Sequence, residues 1–599
     1  MGGLIVKHRH DMECVPHFWF MATRLLIMMG IGGIAVVLVL TNEWVALAQI
    51  SPPTMDPTGR SAQSSQIVPH ESPTPIPPRP VLPPLEQLLE KKAESLPPLR
   101  AKVKEIKVVG HTVFSDEEIK KITGPYENRY ISTEDLEELR RALTLLYVNK
   151  GYINSGARIP DQRLDEGVVT IEIIEGTLKE INVSVEGAKH FFPFYFRDRI
   201  RLGVEDPLNI HPLQERLQLL LLDSRVQRLN SELKPGTELG TSILDVRVEE
   251  ASPYHAWVEY NNFQSPTVGQ NRGLGTVAHQ NLLGLGDTFQ FTFGRSEGVN
   301  PYIDTNYVLP ITPYDTTVMF QYRRNDFEVV TSPFDDLDIE SVTNIYTFTI
   351  RHPVYRTVQD EVALSLTWEY LENKSSLLGQ GFAFTPGATS NGKTVSVPIR
   401  FSQEWIRRQS NQVFAFRSRF SVGLDVFNAT NNRVNADDPD SQYFVWLGQG
   451  QWTRRLDPWN VQLLVSSAIQ IANDSLFPLE QFAVGGRFSV RGYHENELVR
   501  DNAFLFSVEA RLPVIPSVLG ENVLFFAPFV DVGRSWSAKF STPDPETLAS
   551  IGAGVRLNIF DRAQANVYWG LQLNHVADPP SGGGLQDHGL HLQFVWNVL

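Results

Sequence analysis

The second half of this chain alternates apolar and polar residues, segment after segment, and that pattern limits the fold more than any other feature. In Thr288 to Gly294, Phe289, Phe291 and Phe293 point one way, and Thr288, Gln290, Thr292 and Gly294 point the other. The same period of two runs through Phe504 to Leu512, Ile551 to Ile559 and Leu590 to Val598, with Val595 a lapse in the last. Arg, Glu and His recur on one face and large apolar groups on the opposite face. A soluble sandwich rarely sorts its residues so sharply. A membrane barrel must, because lipid requires an apolar exterior while the lumen is wet.

Charge and hydropathy narrow the class. The 599 residues leave room for several domains, and a formal charge of -15 argues against a nucleic-acid partner. Mean hydropathy is slightly negative, unlike a helical membrane protein of this size, so a membrane domain has to be a barrel. Cys14, the sole cysteine, lies in a segment expected to be removed, which leaves a mature chain without thiols.

That segment reads as a secretory signal peptide over residues 1–48. Arg24 precedes an apolar run from Leu25 to Leu40, and Ala46-Leu47-Ala48 supplies a small-residue cleavage site. The rival is an uncleaved anchor helix; Met12 and Met21 are alternative starts. Residues 49–101 read as a Pro-rich linker in which Leu85, Leu88 and Leu89 would share one face of a short helix ending near Lys92.

An internal repeat follows. Val103 to Gly110 is echoed by Leu178 to Gly187, with a shift of 75 residues from Ile106 to Ile181. Each copy continues into a helical pattern, Thr133 to Asn149 and Pro212 to Leu229. In the first, Leu136, Leu139, Leu143 and Leu146 form one buried stripe, with Ser132 or Thr133 as cap and Gly151 as stop. Strands at Val168 to Ile174 and Ser242 to Val248 close the copies. Two small α+β modules, 102–176 and 177–251, thus precede a transmembrane antiparallel β-barrel over 252–599, long enough for about sixteen strands.

Two further motifs lie in the barrel. Val490-Arg491-Gly492-Tyr493 follows Val484-Gly485-Gly486, between a strand expected to end near Ala483 and the strand from Ala503 to Leu512. Phe529-Val530-Asp531-Val532-Gly533 puts Phe529, Asp531 and Gly533 on one face. Asn281 to Asp287 is expected between the first two strands. Together with the repeat and the terminal strand, these residues resemble the two-partner secretion transporters of the haemolysin-activator and filamentous-haemagglutinin type, within the superfamily of outer-membrane barrels that carry polypeptide-transport-associated (POTRA) domains. The resemblance spans about 102–599.

It implies a pore in the outer membrane whose periplasmic POTRA-like modules receive an unfolded exoprotein, an adhesin or cytolysin, by adding it as a strand to a free sheet edge. It also implies that the loop carrying Arg491 folds into the lumen, where Arg491 meets Asp531 with Glu509 beside them. Gly492 would allow the turn and Tyr493 would pack on the wall. The bland alternative puts Arg491 in a surface loop and makes Asp531 an ordinary lumen carboxylate. Outer-membrane lipid is a further implied partner, as are periplasmic chaperones and the barrel-assembly machinery during biogenesis. A barrel-assembly or insertion factor of the same superfamily is the alternative function, with three or more modules expected in place of two; a passive diffusion porin would need neither modules nor the motif.

No enzyme is expected. The chain has no G-x-S-x-G elbow in a strand–helix context, no H-E-x-x-H and no Walker loop, and its fourteen histidines show no metal-ligand spacing. No cofactor is implied. The chain departs from the family pattern at its end: the alternating strand with Phe594 and Trp596 is present, but the last residue is the aliphatic Leu599 where members often end in an aromatic. A pore-plugging helix near Leu85 to Lys92 would have little linker with which to reach the lumen.

Overall fold

The computed structural model describes residues 100–163, 167–187, 191–332, 334–515, 523–559, 562–576 and 583–599. The signal segment and the linker with its expected short helix lie outside the described residues.

The first module consists of β1 (Arg100–Val103), β2 (Glu105–Val109), α1 (Asp116–Thr123), β3 (Arg129–Ser132), α2 (Thr133–Val148), β4 (Gly156–Arg158) and β5 (Val168–Ile174). The second consists of β6 (Thr177–Glu186), α3 (Pro193–Arg201), α4 (Ile210–Leu221), β7 (Val226–Pro235) and β8 (Thr241–Glu250). Their sheets share one topology, β2-β5-β4 and β6-β8-β7, with a parallel central pairing in each. Local chemistry starts the helices. Ser132 accepts from the Asp135 amide while Asp135 answers to the Ser132 amide, a reciprocal cap on α2. Leu139 and Leu143 of α2 are fully buried against Ile106, Val169 and Ile171. Leu213 and Leu217 of α4 do the same against Ile181, Leu244 and Val246. Burying such a side chain is worth roughly 1.5–3 kcal/mol.

The second helix is shorter than its sequence pattern. It ends at Leu221, and Leu229 belongs to β7. A register shift between Val226 and Arg228 brings Val226 and Leu229 inward three residues apart, a spacing that imitates a helix. The helix α3, which the sequence pattern did not suggest, begins with Pro193 in its first turn, where a missing amide costs nothing.

Among the described residues sixteen long antiparallel strands close a barrel, from Tyr254–Asn261 to Leu590–Asn597. The closing seam pairs Gln593 with Asn261 and Asn597 with Trp257. On the outer face, register aligns Phe289, Tyr307, Phe320, Phe348 and Trp368 across five neighbouring strands. With the strands tilted, such a row climbs across the lipid-facing wall of a membrane barrel. The sixth and seventh strands, Glu340–Arg356 and Asp360–Leu377, are the longest at 17 and 18 residues. Asn281 to Asp287 joins the second and third strands, Arg272–Gln280 and Thr288–Ser296, and not the first two. The cause is Tyr254–Asn261, whose glutamate and histidine obscure its alternation but which is a full barrel strand.

The modules lead into the start of the first strand, so the modules and the short turns lie at one end of the barrel and the long loops at the other; the resemblance implies that the first end is periplasmic. The second module is joined to two of those turns. Arg199 donates to Asp315 at 2.9 Å, and Arg225 donates to the Gly286 carbonyl and to Asp223. An ideal Cβ at Gly286 would lie 2.6 Å from the Tyr195 ring. Burial pushes the Tyr195 hydroxyl up to about 12. It also opposes the charge on Asp223, but Arg225 outweighs it and holds that carboxyl below its ordinary range.

Candidate functional site

The connection 473–501, between the eleventh strand (Val461–Ala472) and the twelfth (Asn502–Ile515), turns into the lumen. The strand expected to end near Ala483 is not part of the wall. Phe482–Val484 pairs with Leu498–Arg500 as a separate hairpin within this loop, because the barrel strand already ends at Ala472. Phe482, Val484, Val490 and Tyr493 form a small apolar core with Leu447, Leu505 and Leu548 of the wall. That contact carries the loop inward.

At the loop's tip Arg491 forks onto Asp531. Its Nε donates at 2.7 Å and its Nη2 at 2.8 Å, one to each carboxylate oxygen, and the Arg491 amide adds a third bond at 3.1 Å. Nη1 donates to Glu509, and Nη2 also reaches the Ser507 hydroxyl at 3.2 Å. Ser507 in turn donates to Asp531 at 2.6 Å. The Phe529 ring lies under the guanidinium, 3.6 Å from Cζ. The side chains of Arg491, Glu509 and Asp531 keep no more than 4% of their surface exposed. A bidentate, charge-assisted pair with every lone pair answered can repay such burial, whereas an isolated ion there could not. Arg511, Tyr568 and Arg556 extend the network, through 2.8 Å from Arg511 to Glu509, 3.2 Å from Tyr568 to Glu509 and 3.2 Å from Arg556 to Tyr568.

The other motif residues shape the fit. Gly492 adopts φ +97°, and a Cβ there would lie 2.6 Å from the Gly570 carbonyl of the fifteenth strand. Backbone therefore meets backbone at this point. The Gly492 amide donates to His591 at 3.2 Å, and Gln572 donates to the Gly492 carbonyl at 2.8 Å. Tyr493 is fully buried, its hydroxyl between the Ala549 and Asn574 carbonyls at 2.9 and 2.8 Å. Gly533 leaves the space that Val484 and Val490 fill.

A second anchor, which sequence reasoning missed, holds the other end of the loop. Arg400 on the eighth strand (Pro398–Arg408) donates to both oxygens of Glu480 at 2.9 and 3.1 Å, and to Glu369 at 2.7 Å. Glu480 and Arg400 are buried as deeply as the first pair. The loop thus crosses the lumen, offering an acid to one wall and a base to the other. Arg511 and Ser507 share the inward row of Glu509, a signal present in the alternation; Glu480 has no local signature.

Among the described residues no cluster of three or more metal-binding side chains is present. The arrangement is a folded loop held across the barrel interior by two buried ion-pair clusters.

Comparison with known proteins fits this geometry. Residues 240–557 match the family model described as haemolysin secretion/activation protein ShlB/FhaC/HecB, and residues 101–176 match the POTRA domain, ShlB-type. The chain is 22% identical over 484 residues to the outer membrane transporter CdiB of Dickeya dadantii, covering 78% of this chain and 82% of that one. It is 20% identical to the heme/hemopexin transporter protein HuxB of Haemophilus influenzae, covering 73% and 77%. Among solved structures, CdiB from Escherichia coli superposes with a TM-score of 0.60 at 21% identity, covering 86% of this chain and 94% of that one. BamA from Haemophilus ducreyi lacking POTRA domains 1–3 gives 0.50 at 13% identity, covering 83% and 99%; these likenesses concern the fold.

Proposed function

This chain belongs to the haemolysin secretion/activation family of outer-membrane transporters, and we infer from its lumen how it keeps its pore shut and releases it. As a member it exports an exoprotein through the barrel to the cell surface. The finer reading is that the loop carrying Arg491 is the resting closure. The observation behind it is the loop's double attachment, Arg491 to Asp531 and Glu509 on one wall, Glu480 to Arg400 on the other. An extended client needs a continuous path, so the loop must shift or yield as the client arrives.

The modules, bounded at about 176 and 251, are the natural receptor. An exposed edge strand binds an extended chain through main-chain hydrogen bonds, and β2 and β6 each end their sheet. The client would be of the adhesin or cytolysin class. Lipid surrounds the barrel, and chaperones and assembly machinery would serve its biogenesis. On this reading the protein acts as a conduit for its client.

Arg491→Ala tests the closure. It strands Asp531 without its cation and leaves Glu509 to Arg511 alone, an imbalance of about 3–5 kcal/mol for a broken buried pair. Export of a co-expressed client should fall and resting conductance in planar bilayers should rise, while the heat-shifted band of a folded barrel persists. Wild-type export together with wild-type conductance would overturn the reading.

A further inference from the structure

The second module carries an aromatic pair that its own core does not use. Phe192 and Phe194 are 50% and 42% exposed and stack on each other, ring centres 5.6 Å apart and planes 14° from parallel. Their neighbours Phe191, Tyr195 and Phe196 fill the module's interior. Two exposed phenylalanines cost hydrophobic free energy in water, so a surface that covers them is favoured.

Their position identifies that surface. The Phe192 amide donates to the Gly284 carbonyl at 3.0 Å, so the pair sits directly against the turn between the second and third strands. The same turn exposes Leu282 and Leu283, 50% and 55% accessible. It cannot swing away easily. The Asp287 carboxylate accepts from the Leu283 amide and from the Tyr307 hydroxyl, both at 2.9 Å. Tyr307 and Phe289 belong to the aromatic row on the lipid-facing side. The apolar outer surface of the barrel therefore continues, through Leu282 and Leu283, onto the module.

Charge changes along the same face of α3. Residues three and four apart share one side of a helix, which aligns Phe194, Arg197 and Arg201. Arg197 and Arg201 are exposed, the former 3.4 Å from Asp198. Aromatic residues followed by cations on one face are what an interfacial membrane helix presents to lipid.

We propose that this face is a membrane-docking site. Phe192 and Phe194 seat in the periplasm-facing leaflet beside the barrel, and Arg197 and Arg201 bind the headgroups of anionic phospholipids there. The second module is then fixed by lipid as well as by its bonds to the turns. The proposal goes beyond the export function and rests on the barrel spanning the membrane with the modules on the periplasmic side.

The test uses the full chain. Phe194→Cys carrying an environment-sensitive fluorophore is reconstituted into phosphatidylcholine vesicles with or without phosphatidylglycerol, and with or without lipids bearing a nitroxide near the headgroup. Tyr130→Cys, exposed on the first module, is the control. The label at 194 should emit at shorter wavelength than the label at 130 and be quenched by the nitroxide lipid, more strongly with phosphatidylglycerol. Arg197→Gln and Arg201→Gln should each lower the ratio of docked to free module by about fivefold in anionic vesicles. Equal emission at the two positions with no quenching at 194 would overturn the proposal. So would a label at 194 that responds to added client in detergent and not to lipid, because the patch would then be a client site. The heat-shifted band is checked in each sample, so a barrel that failed to insert is recognised separately.

Discussion

The two modules are copies with different neighbours. At their centres the repeat is close: Val169, Ile171 and Ile173 of β5 and Leu244, Val246 and Val248 of β8 occupy equivalent buried positions, 75 residues apart. At their edges they diverge. In the second module Tyr195, Arg199 and Arg225 face the barrel turns. The first is held to the second through the Ile210 amide on Gly151 at 2.9 Å and the Leu208 amide on Gly176 at 2.7 Å. Its pairing strand is also shorter. β4 has 3 residues where β7 has 10, and the Gln162 side chain substitutes for a strand by bonding the Thr170 amide and carbonyl at 2.7 Å each. One core can evidently serve as a mount or as an outlying arm, depending on which surface residues are added to it.

The contrast can be broken most severely by deletion. Removing 102–176 should abolish export and leave a folded, heat-shifted barrel, because the barrel satisfies its own backbone bonds. A secretion assay beside the gel shift decides it; normal export would remove the receptor role from the first module. Next in size, Arg225→Ala should release the second module from the turn at Gly286, with a local loss of about 3 kcal/mol from a broken buried pair. Hydrogen exchange of residues 281–287 should rise, and the first module's amides should not change. If both modules loosen equally, they act as one body and the contrast fails.

A smaller effect concerns Glu175 at the junction. Its carboxylate accepts from the Thr112 and Val113 amides at 2.7 and 3.1 Å and from the Tyr147 hydroxyl at 2.7 Å. Burial pushes its pKa up, but these bonds together pull it below the ordinary glutamate value. A depressed folded pKa means that the stabilisation is complete above the unfolded value of about 4.3 and disappears as pH falls through the folded one. Pepsin sensitivity of the first module should therefore step up on acidification below that range. In Glu175→Gln the step should vanish, with greater trypsin sensitivity at neutral pH; an unchanged acid step would exclude Glu175. Smallest is Tyr147→Phe, which deletes one hydrogen bond to that carboxylate and should cost about 1 kcal/mol in the first module's denaturant midpoint.

Much of this was readable in sequence because it is periodic or local. Alternation gives barrel strands, and the 75-residue echo gives the modules. Of the two caps expected, Ser132 or Thr133, Ser132 starts the helix. The meeting of Arg491 and Asp531 was expected from motif resemblance, and the structure places them at 2.7 Å. What escaped notice depends on contacts across the lumen or on broken periodicity. Nothing near Glu480 announces Arg400, 80 residues away in sequence and on another wall. The bulge in β7 gave a strand the spacing of a helix. Nothing around Gly570 in the sequence signals that the Gly492 backbone rests on it.

The unequal strand lengths have an outcome at the cell surface. Spanning the bilayer takes about 9–11 tilted residues, so strands of 17 and 18 residues rise well beyond it. At about 3.4 Å per residue, roughly 20–25 Å of paired ribbon stands clear of the lipid on one side of the pore. This ribbon is therefore a surface that an antibody or a phage can reach from outside the cell. Because neither lumen anchor lies in that protruding part, substitutions there should leave both buried ion pairs intact.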